Sequence, residues 1–546
     1  MRIWYEWEKV VNVDNDDAPV DYNLTELPIE LFDLCEASFR QLKRNDPEMC
    51  GLNIERGNWI EGTGSAIGQS KCLASLFIDA DDTEMGEDVD WIIDVFQGLS
   101  NNRSVQTFHL VGPAIGLSEH FQNLIGFIGH NSNLQYVNVS LLWEDSFRDF
   151  VSALKGCNGS HLKRLDVSEC EVPDKMGAQF FESLVEHPNL LELGFFCNSN
   201  RSSFSMKQSG RALSKLLNLQ ASKIRHLELS GEGRTWRGYD VDCVDDLSEA
   251  LEVNTTLFSL TLRFQTATTM RWRRFSRALS QTECSLEWLD LSDNDFDDDA
   301  MTCLGVGLAT NTKLQYLNVS KNSDITIEGW EGFVICLENP LSALKRINVN
   351  SCNIGDEGAR AFASSLVNNH TLRSLHMARN SMSSTGWIDF FNVLLTSNST
   401  FEHLTLHNDE LTEESCWNAL ACTLCDASSI DNIFSSNHTF FNIGQFYEPI
   451  NNLVEDAPDN VRSLLRLNEM ESRKSAARTK ILNYHFSGGN KNVHEFSRMP
   501  MTSMPFAVEW IGRNKLGFSL MYYLVRSDPS VFVPMPTAAV KKRKQM

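Results

Sequence analysis

The sequence lacks long apolar runs and has little positive charge. No stretch of eighteen apolar residues occurs in its 546 residues, so no transmembrane helix is predicted. The N-terminal segment, MRIWYEWEKVVNVDNDDAPV, has no apolar core and turns acidic by Asp14, so we expect no secretory signal. Lys and Arg number 48 against 72 Asp and Glu, a formal net charge of −24. We therefore expect repulsion from nucleic acid and from anionic membranes.

Composition and cysteine usage favour an intracellular globular protein. The chain is 42% hydrophobic and 22% charged, which excludes collagen-like and broadly disordered proteins. Its 14 cysteines are scattered, and without a secretory signal they predict reduced thiols. We expect a cytoplasmic location, or a nuclear one if the basic tail acts as an import signal. A solubilising end is the alternative for this tail, which consists of Lys541, Lys542, Arg543 and Lys544.

The sequence also lacks a convincing catalytic or metal-binding constellation. The segment GTGSAIG (62–68) has no Lys-Ser/Thr ending of a Walker A loop, and its position predicts a helix that leads into a strand. Cys422 and Cys425 have metal-type spacing, but no second pair follows. The acidic run from Asp290 to Asp299 predicts a solvated edge, with weak divalent-cation binding as the alternative. We therefore expect no enzyme and no cofactor.

What the sequence has in abundance is one repeated phrase, apolar-x-x-apolar-x-apolar. Its spacing ranges from 24 to 34 residues and is most often 28 or 29. The alternation predicts a strand with one buried face, and segments such as 354–369 then follow a helical period. The phrase begins at Met49, Leu73, Val105, Leu134, Leu162, Leu190, Ile224, Leu257, Leu286, Leu314, Leu344, Leu372, Phe401 and, more faintly, Ile430.

Two positions in each repeat favour asparagine. The eighth residue after the phrase begins is Asn294, Asn322 or Asn380, or a cysteine at 170 and 352. A buried amide there can satisfy the backbone of a bend. The residue three before the phrase is also often asparagine, as at Asn311 and Asn398, which predicts a left-handed helix end. Each repeat is therefore strand, bend, helix and cap, and such units must stack to bury a core.

These repeats resemble leucine-rich repeats of the ribonuclease-inhibitor (RNI-like) type, from about Met49 to Asn437. The resemblance implies an α/β fold, a solenoid shaped as a horseshoe, with a concave parallel β-sheet and convex helices. We expect an N-terminal helical cap over residues 1–48 and about 13 or 14 repeats over 49–437. Residues 438–546 then form a C-terminal helical region that ends in the basic tail.

In such a sheet, the residues between the core positions face the concave side and form ladders across neighbouring strands. Trp288, Tyr316 and Arg346 occupy adjacent rungs and are of the types enriched at interface hot spots. Aromatic residues also suit strands for their own sake, which is the alternative explanation. The predicted partner-binding surface consists of Trp288, Tyr316, Arg346, Asp290, His376 and His403.

A second patch combines arginine and tryptophan from neighbouring repeats. Three members lie in an insertion after Ser230 and three in the next predicted helix, and the alternative is pairing with nearby carboxylates such as Asp245. The patch consists of Arg234, Trp236, Arg237, Arg271, Arg273 and Arg274.

The function predicted from these features is that of a non-catalytic, monomeric scaffold that binds a protein partner on its concave surface. No nucleic-acid or membrane partner is expected. A GTPase activator is one alternative, because a related solenoid family has this activity. An F-box-like adaptor is another, suggested by the Leu27-Pro28 start of the N-terminal segment. A sensor subunit of an immune-type receptor is a third alternative. Such receptors normally contain a nucleotide-binding module, and since no Walker A loop is present, the chain would be only a partial relative.

Overall fold

Short strands alternate with helices along the chain. The computed structural model describes residues 31–80, 90–112, 121–140, 144–155, 161–170, 172–197, 206–231, 243–265, 267–398, 400–406, 413–445, 457–470, 472–481 and 483–484. The chain forms two compact units, 1–354 and 355–546. The predicted α/β architecture of stacked strand–helix repeats is confirmed within each unit.

Twelve strands lie side by side in sequence order in the described part of the first unit, each parallel to the next. They are β1 (Phe32–Asp33), β2 (Gly51–Glu55), β3 (Ser75–Asp79), β4 (Thr107–Val111), β5 (Tyr136–Ser140), β6 (Arg164–Cys170), β7 (Glu192–Cys197), β8 (His226–Gly231), β9 (Ser259–Arg263), β10 (Trp288–Asp290), β11 (Tyr316–Asn318) and β12 (Arg346–Asn348).

A helix follows most of these strands. The helices of the first unit are α1 (Glu36–Lys43), α2 (Thr63–Gln69), α3 (Asp90–Leu99), α4 (Phe121–His130), α5 (Glu144–Lys155), α6 (Asp174–Ser183), α7 (Lys207–Leu217), α8 (Val244–Leu251), α9 (Thr269–Leu279), α10 (Asp298–Leu308) and α11 (Ile327–Val334).

The second unit continues the same alternation and then becomes helical. Its strands β13 (Ser374–His376), β14 (His403–Leu406) and β15 (Asn442–Gln445) are parallel. Its helices are α12 (Gly355–Leu366), α13 (Ser384–Ser397), α14 (Glu414–Leu424), α15 (Ile430–Ser435), α16 (Asp459–Met470) and α17 (Arg473–Ile481).

The apolar positions of the phrase form the core between sheet and helices. Leu286, Leu289 and Leu291 are fully buried in the β10 repeat, and Trp330 of α11 is fully buried as well. Successive side chains of a strand point to opposite sides. The residues between these leucines therefore lie on the sheet surface away from the helices, which we call the open face.

The bend asparagines make the hydrogen bonds that the sequence predicts. Asn322 is fully buried, and its amide nitrogen donates to the carbonyl oxygens of Leu291 at 3.1 Å and Val319 at 2.8 Å. Its side-chain oxygen accepts the backbone N–H groups of Asn294 at 3.0 Å and Phe296 at 3.2 Å. One amide thus satisfies four backbone groups and links two repeats.

The prediction of left-handed asparagines at the helix ends is wrong. None of these asparagines in the described residues has a positive φ; that conformation occurs beside the bends instead, for example at Lys321 with φ 62°. Asn311 acts through its side chain, which donates to the carbonyl of Leu279 at 2.7 Å and accepts the N–H of Leu314 at 2.8 Å. Asparagine is favoured here because its amide bonds to two repeats at once.

The two ends of the repeat region differ in detail from the sequence expectation. The described part of the N-terminal region contains α1, but β1 precedes it and pairs with β2. At the other end, the faint phrase at Ile430 is wrong, because Ile430 begins α15. The strand is β15, which begins at Asn442, five residues after Asn437. The side-chain oxygen of Asn437 accepts the N–H of Phe440 at 2.7 Å, as the cap asparagines of the other repeats do. The cap asparagine therefore marks the repeat better than the apolar pattern.

Candidate functional site

Strand register places the predicted ladder residues side by side on the open face of the first unit. Trp288 of β10 is the direct neighbour of Tyr316 of β11, which in turn neighbours Arg346 of β12. Two residues further along the strand, Asp290 neighbours Asn318. The structure therefore brings together four of the six residues of the predicted partner-binding surface.

Trp288 and Tyr316 form a stacked pair. Their ring centroids are 3.6 Å apart and their planes differ by 15°. Tyr316 lies beneath and is only 9% exposed, whereas Trp288 stays partly exposed. Burial, together with the nearby carboxylate of Asp290, raises the pKa of Tyr316 well above its usual range. The phenol is therefore neutral at physiological pH and serves as a flat platform that holds the indole at the surface.

Asp290 is fixed rather than available to a ligand. Burial opposes its ionisation, but the guanidinium of Arg263 on β9, 2.7 Å away, lowers the pKa of Asp290 overall. The backbone N–H of Ser292 also donates to this carboxylate at 2.9 Å. Asp290 therefore remains charged at neutral pH and positions Arg263 on the open face.

A group of carboxylates lies on the open face of β6 to β8. Arg164 on β6 contacts Asp166 at 2.9 Å and Glu192 of β7 at 3.4 Å. Glu228 of β8 lies on the same row as Asp166, with Gly194 of β7 between them. We call Asp166, Glu192 and Glu228 the carboxylate cluster. Ladder positions in the sequence include all three, but only the structure shows that one arginine is shared by two of them.

Burial gives Glu228 an unusual acidity. Its desolvation outweighs the attraction of Arg263 and raises the pKa of Glu228 to about 7. Asp166 and Asp290 add to the rise by repulsion, and Arg164 opposes it. Glu228 makes no hydrogen bond or ion pair with a described residue, which distinguishes it from Asp166 and Glu192. This carboxylate therefore changes charge near neutral pH.

Aromatic side chains of β3 to β5 form a second group that the sequence analysis missed. His109 of β4 packs edge-on against Tyr136 of β5 at 4.8 Å and lies 5.8 Å from the ring of Phe77 of β3. The guanidinium of Arg164 lies 5.1 Å from the ring centroid of Tyr136. Burial, with Arg164 nearby, lowers the pKa of His109 to about 4. Extending the ladder to the earlier repeats would have found this group.

The two remaining residues of the predicted surface lie in the second unit. The rings of His376 on β13 and His403 on β14 are 5.7 Å apart on its open face. His403 contacts the hydroxyl of Thr405 at 3.0 Å, and His376 contacts that of Ser374 at 3.4 Å. These histidines form a small polar surface of their own.

The described members of the second patch do not converge on one point. On α9, Arg271 and Arg274 both contact Asp245 of α8, at 3.3 Å and 3.0 Å, and Arg274 also reaches Glu249. Arg273 interacts with Cys303 of α10, on the other side. Arg271 and Arg274 are therefore paired with nearby carboxylates, which was the alternative to a binding patch in the sequence analysis. Arg234, Trp236 and Arg237, as well as the basic tail, lie outside the described residues.

The motifs set aside at the sequence level have structural roles. The Gly-rich segment forms α2, and a Cβ on Gly64 would lie 1.7 Å from the carbonyl oxygen of Asp94, so glycine permits close packing against α3. In the acidic run, Asp297 caps α10 and Asp298 accepts the N–H of Thr326 at 2.6 Å. The described residues contain no group of three or more side chains suited to a metal ion, and none of their helices could span a membrane.

Comparison with known proteins supports the repeat assignment. A family model described as Leucine Rich repeat matches residues 283–305, 342–363 and 368–389. NACHT, LRR and PYD domains-containing protein 5 of Mus musculus is 25% identical over 361 residues, which cover 64% of this chain and 30% of that protein. Protein 14 of the same name and organism is 25% identical over 296 residues, 54% of this chain and 29% of that protein.

The chain thus spans about a third of the length of these relatives. Among solved structures, the Rad7 and Elc1 complex in yeast matches at 15% identity and a TM-score of 0.33, covering 68% of this chain and 86% of that one. A similarity this low carries no argument. The parallel strands, the asparagine bonds between repeats and the matching family model together show that the chain is a leucine-rich-repeat protein.

Proposed function

We propose that the chain binds a protein partner on the open face of its first unit and acts as an interaction scaffold without catalysis of its own. The observation that carries this proposal is the stacked pair of Trp288 and Tyr316 beside Arg346. Trp, Tyr and Arg are the residue types that contribute most to binding energy at protein interfaces. Here they occupy three neighbouring strands, β10 to β12.

The stack favours binding because it prepares Trp288 for contact. An exposed indole normally loses rotamer freedom when it enters an interface, which costs about 0.5–1.5 kcal/mol. Tyr316 already restricts Trp288 in the free protein, since the two rings overlap at 3.6 Å. The indole can then bury apolar area against a partner at a smaller entropic cost.

The relatives support an interaction role of the repeats in general terms. Their names combine leucine-rich repeats with NACHT and PYD domains, and this chain matches only about 30% of their length. The proposal therefore concerns the repeats alone and does not include the activities of the complete relatives. The His376–His403 surface of the second unit and the paired Arg271 and Arg274 are secondary candidates for contact.

The proposal is tested by affinity capture from native lysate with intact protein, Trp288→Ala/Arg346→Ala and Arg271→Ala/Arg274→Ala. We expect at least one protein to be captured by the intact chain and the α9 variant but lost by the open-face variant. Far-ultraviolet circular dichroism and melting curves provide the folding control. If every captured protein is kept by the open-face variant, the proposed surface is wrong.

A further inference from the structure

The open face of β6 to β10 carries more negative than positive groups. Asp166 and Glu192 both form ion pairs with Arg164. Asp290 forms an ion pair with Arg263, so all three carboxylates have cationic partners. Glu228 is left over between them, without a hydrogen bond or ion pair from a described residue. A buried or half-buried charge without a partner is unfavourable, so this position is suited to a cation that arrives from outside.

Gly194 leaves room for the carboxylate of Asp166 above the sheet. A Cβ at this position would lie 2.3 Å from Asp166 Oδ1 and 3.0 Å from the ring of Phe196. The carboxylate of Asp166 therefore leans over the glycine toward the strand that carries Glu228. Any larger residue would push Asp166 away, so glycine lets the carboxylate of Asp166 lie over the strand between Asp166 and Glu228, near enough to raise the pKa of Glu228.

A second acceptor beside the cluster also lacks a donor. Asn138 of β5 is the direct neighbour of Asp166, and it is 7% exposed. Its side-chain oxygen is buried and has no hydrogen-bond partner among the described residues. Buried acceptors are rarely left unsatisfied in native proteins, so a missing donor group is indicated on this side of the cluster too.

We infer that a lysine side chain of the protein partner enters over Gly194 and places its ammonium group against Glu228 and Asp166. This inference rests on the proposed function, because it specifies what the partner brings to the open face. The occupant is argued from charge complementarity: the four carboxylates of this face are matched by only two arginines, and the whole chain has a net charge of −24.

Lysine fits this place better than the other cations. Its compact ammonium has three donors that point in different directions, whereas the planar guanidinium of arginine directs all its donors within one plane. The carboxylates of Asp166 and Glu228 come from two strands on either side of Gly194. A metal ion is disfavoured, since no described group of three or more ligand side chains is suited to one.

The acidity of Glu228 gives the contact a pH signature. Its pKa is raised to about 7 in the free protein, and a nearby ammonium would lower it again. Binding then releases a proton, so affinity should rise roughly tenfold between pH 6 and pH 8. The charged groups that face Glu228 are Arg164 and Asp166 on one side and Arg263 and Asp290 on the other. The half-buried His226 on the same strand has its pKa lowered to about 4 by desolvation and stays neutral.

The test is zero-length carbodiimide cross-linking, which joins a carboxylate to a lysine amine in direct contact. The 546-residue chain is mixed with native lysate, cross-linked and analysed by peptide mass spectrometry. Glu228→Gln and Gly194→Ala are compared with Glu182→Gln, the same substitution at an exposed position of α6. We expect a link from Glu228 to a lysine of a second protein, absent in Glu228→Gln and retained in Glu182→Gln. Purified, that protein should bind Glu228→Gln about tenfold more weakly.

The outcomes separate this inference from the proposed function. If Trp288→Ala loses a partner that Glu228→Gln binds with unchanged affinity and pH dependence, the lysine contact is wrong and the scaffold proposal stands. If Glu228 links only to Lys541, Lys542 or Lys544, the occupant is the tail of the same chain and the inference is overturned. If neither open-face variant changes any capture, both proposals are wrong.

Discussion

The indole of Trp288 lies flat on the phenol ring of Tyr316, with ring centroids 3.6 Å apart. The two residues come from adjacent repeats and are direct neighbours on the adjacent strands β10 and β11. Tyr316 is nearly buried while Trp288 reaches the surface. One residue of the pair thus belongs to the fold and the other to the candidate interface, and their contributions can be tested separately.

The platform role of Tyr316 predicts different results for two substitutions. Tyr316→Phe keeps the ring beneath Trp288 and should leave partner affinity unchanged. Tyr316→Leu removes the aromatic contact, and we expect affinity to fall by about 1 kcal/mol, the usual strength of an aromatic pair beyond area burial. Isothermal titration calorimetry with a captured partner measures both. Equal affinities for Tyr316→Leu and intact protein would show that the stack does not prepare Trp288 for binding.

Glu228→Gln should stabilise the fold at alkaline pH although it weakens binding. The folded pKa of Glu228, about 7, lies above the value of 4.5 expected for an unfolded glutamate. Its contribution to stability is therefore present below pH 4.5 and is lost as pH rises through about 7. Removing the charge should raise the free energy of unfolding by about 1–2 kcal/mol at pH 8 and by much less at pH 5.

Urea denaturation at the two pH values checks this prediction, with Glu182→Gln as the matched control. Stabilisation combined with weaker binding would exclude misfolding as the cause of lost affinity. An equal change in the free energy of unfolding at pH 5 and pH 8, or a loss at pH 8, would contradict the assigned environment of Glu228.

Asn322→Ala should be strongly destabilising. The amide is fully buried and serves four backbone groups of two repeats. Its removal leaves those groups without partners, and we expect a loss of about 2–4 kcal/mol in the free energy of unfolding. Asn218→Ala, at the exposed end of α7, should change it by less than about 0.5 kcal/mol. Similar values for both variants would refute the bend interpretation.

Lys480 predicts pH-dependent stability of the C-terminal helices. It is fully buried on α17 and donates to the carbonyl oxygens of Leu424 at 2.7 Å and Asn437 at 3.2 Å, and it contacts His438 at 3.1 Å. Burial lowers its pKa to about 7 from the usual 10.5. Since the folded pKa is lowered, the stability from this group is fully present above about pH 10.5, is lost as pH falls toward 7 and changes little below that.

Hydrogen exchange of α17 measures this effect. Between pH 9 and pH 6, after correction for intrinsic exchange, protection should fall by about 2 kcal/mol in the intact chain and stay constant in Lys480→Met. At pH 9 the variant itself should be less protected by about 1–3 kcal/mol, because two carbonyls lose their donor. Lys215→Met, exposed on α7, is the control. Parallel pH profiles of intact chain and Lys480→Met would contradict the prediction.

The sequence predicted the repeat and the ladder because both follow from short-range periodicity. Alternating leucines and the asparagine of the bend at Asn322 identify strand, bend and register within one repeat. The conformation of the second asparagine position was not predictable in this way, because Asn311 acts through bonds to the preceding repeat. The sequence pattern did not locate β15, because the apolar residues of α15 have the same spacing as the repeated phrase. Asn437, three residues before Phe440, marks where the last repeat begins.

The candidate site was predicted only in part, for the same reason. Adjacency of Trp288 and Tyr316 follows from spacing alone, but their stacking depends on side-chain geometry. The sequence also could not show that Glu228 lacks an ion pair, because that depends on which carboxylate each arginine contacts. Arg164 has several carboxylates within its reach and pairs with Asp166 and Glu192. The burial of Lys480 could not be predicted from the sequence, because a lysine in a helical segment is ordinarily exposed to solvent.

The central claim, that the open face of the first unit binds a protein, is tested most directly by comparing three affinities. A partner identified by capture is purified, and its dissociation constant is measured with the intact chain, Trp288→Ala and Met270→Ala. Met270 is a matched control, a large apolar side chain that is 62% exposed on α9, on the helical side of the unit. We predict a loss of about 2 kcal/mol, roughly thirtyfold, for Trp288→Ala and no change for Met270→Ala. Unchanged affinity for Trp288→Ala with a loss for Met270→Ala would contradict the account and locate binding on the helices.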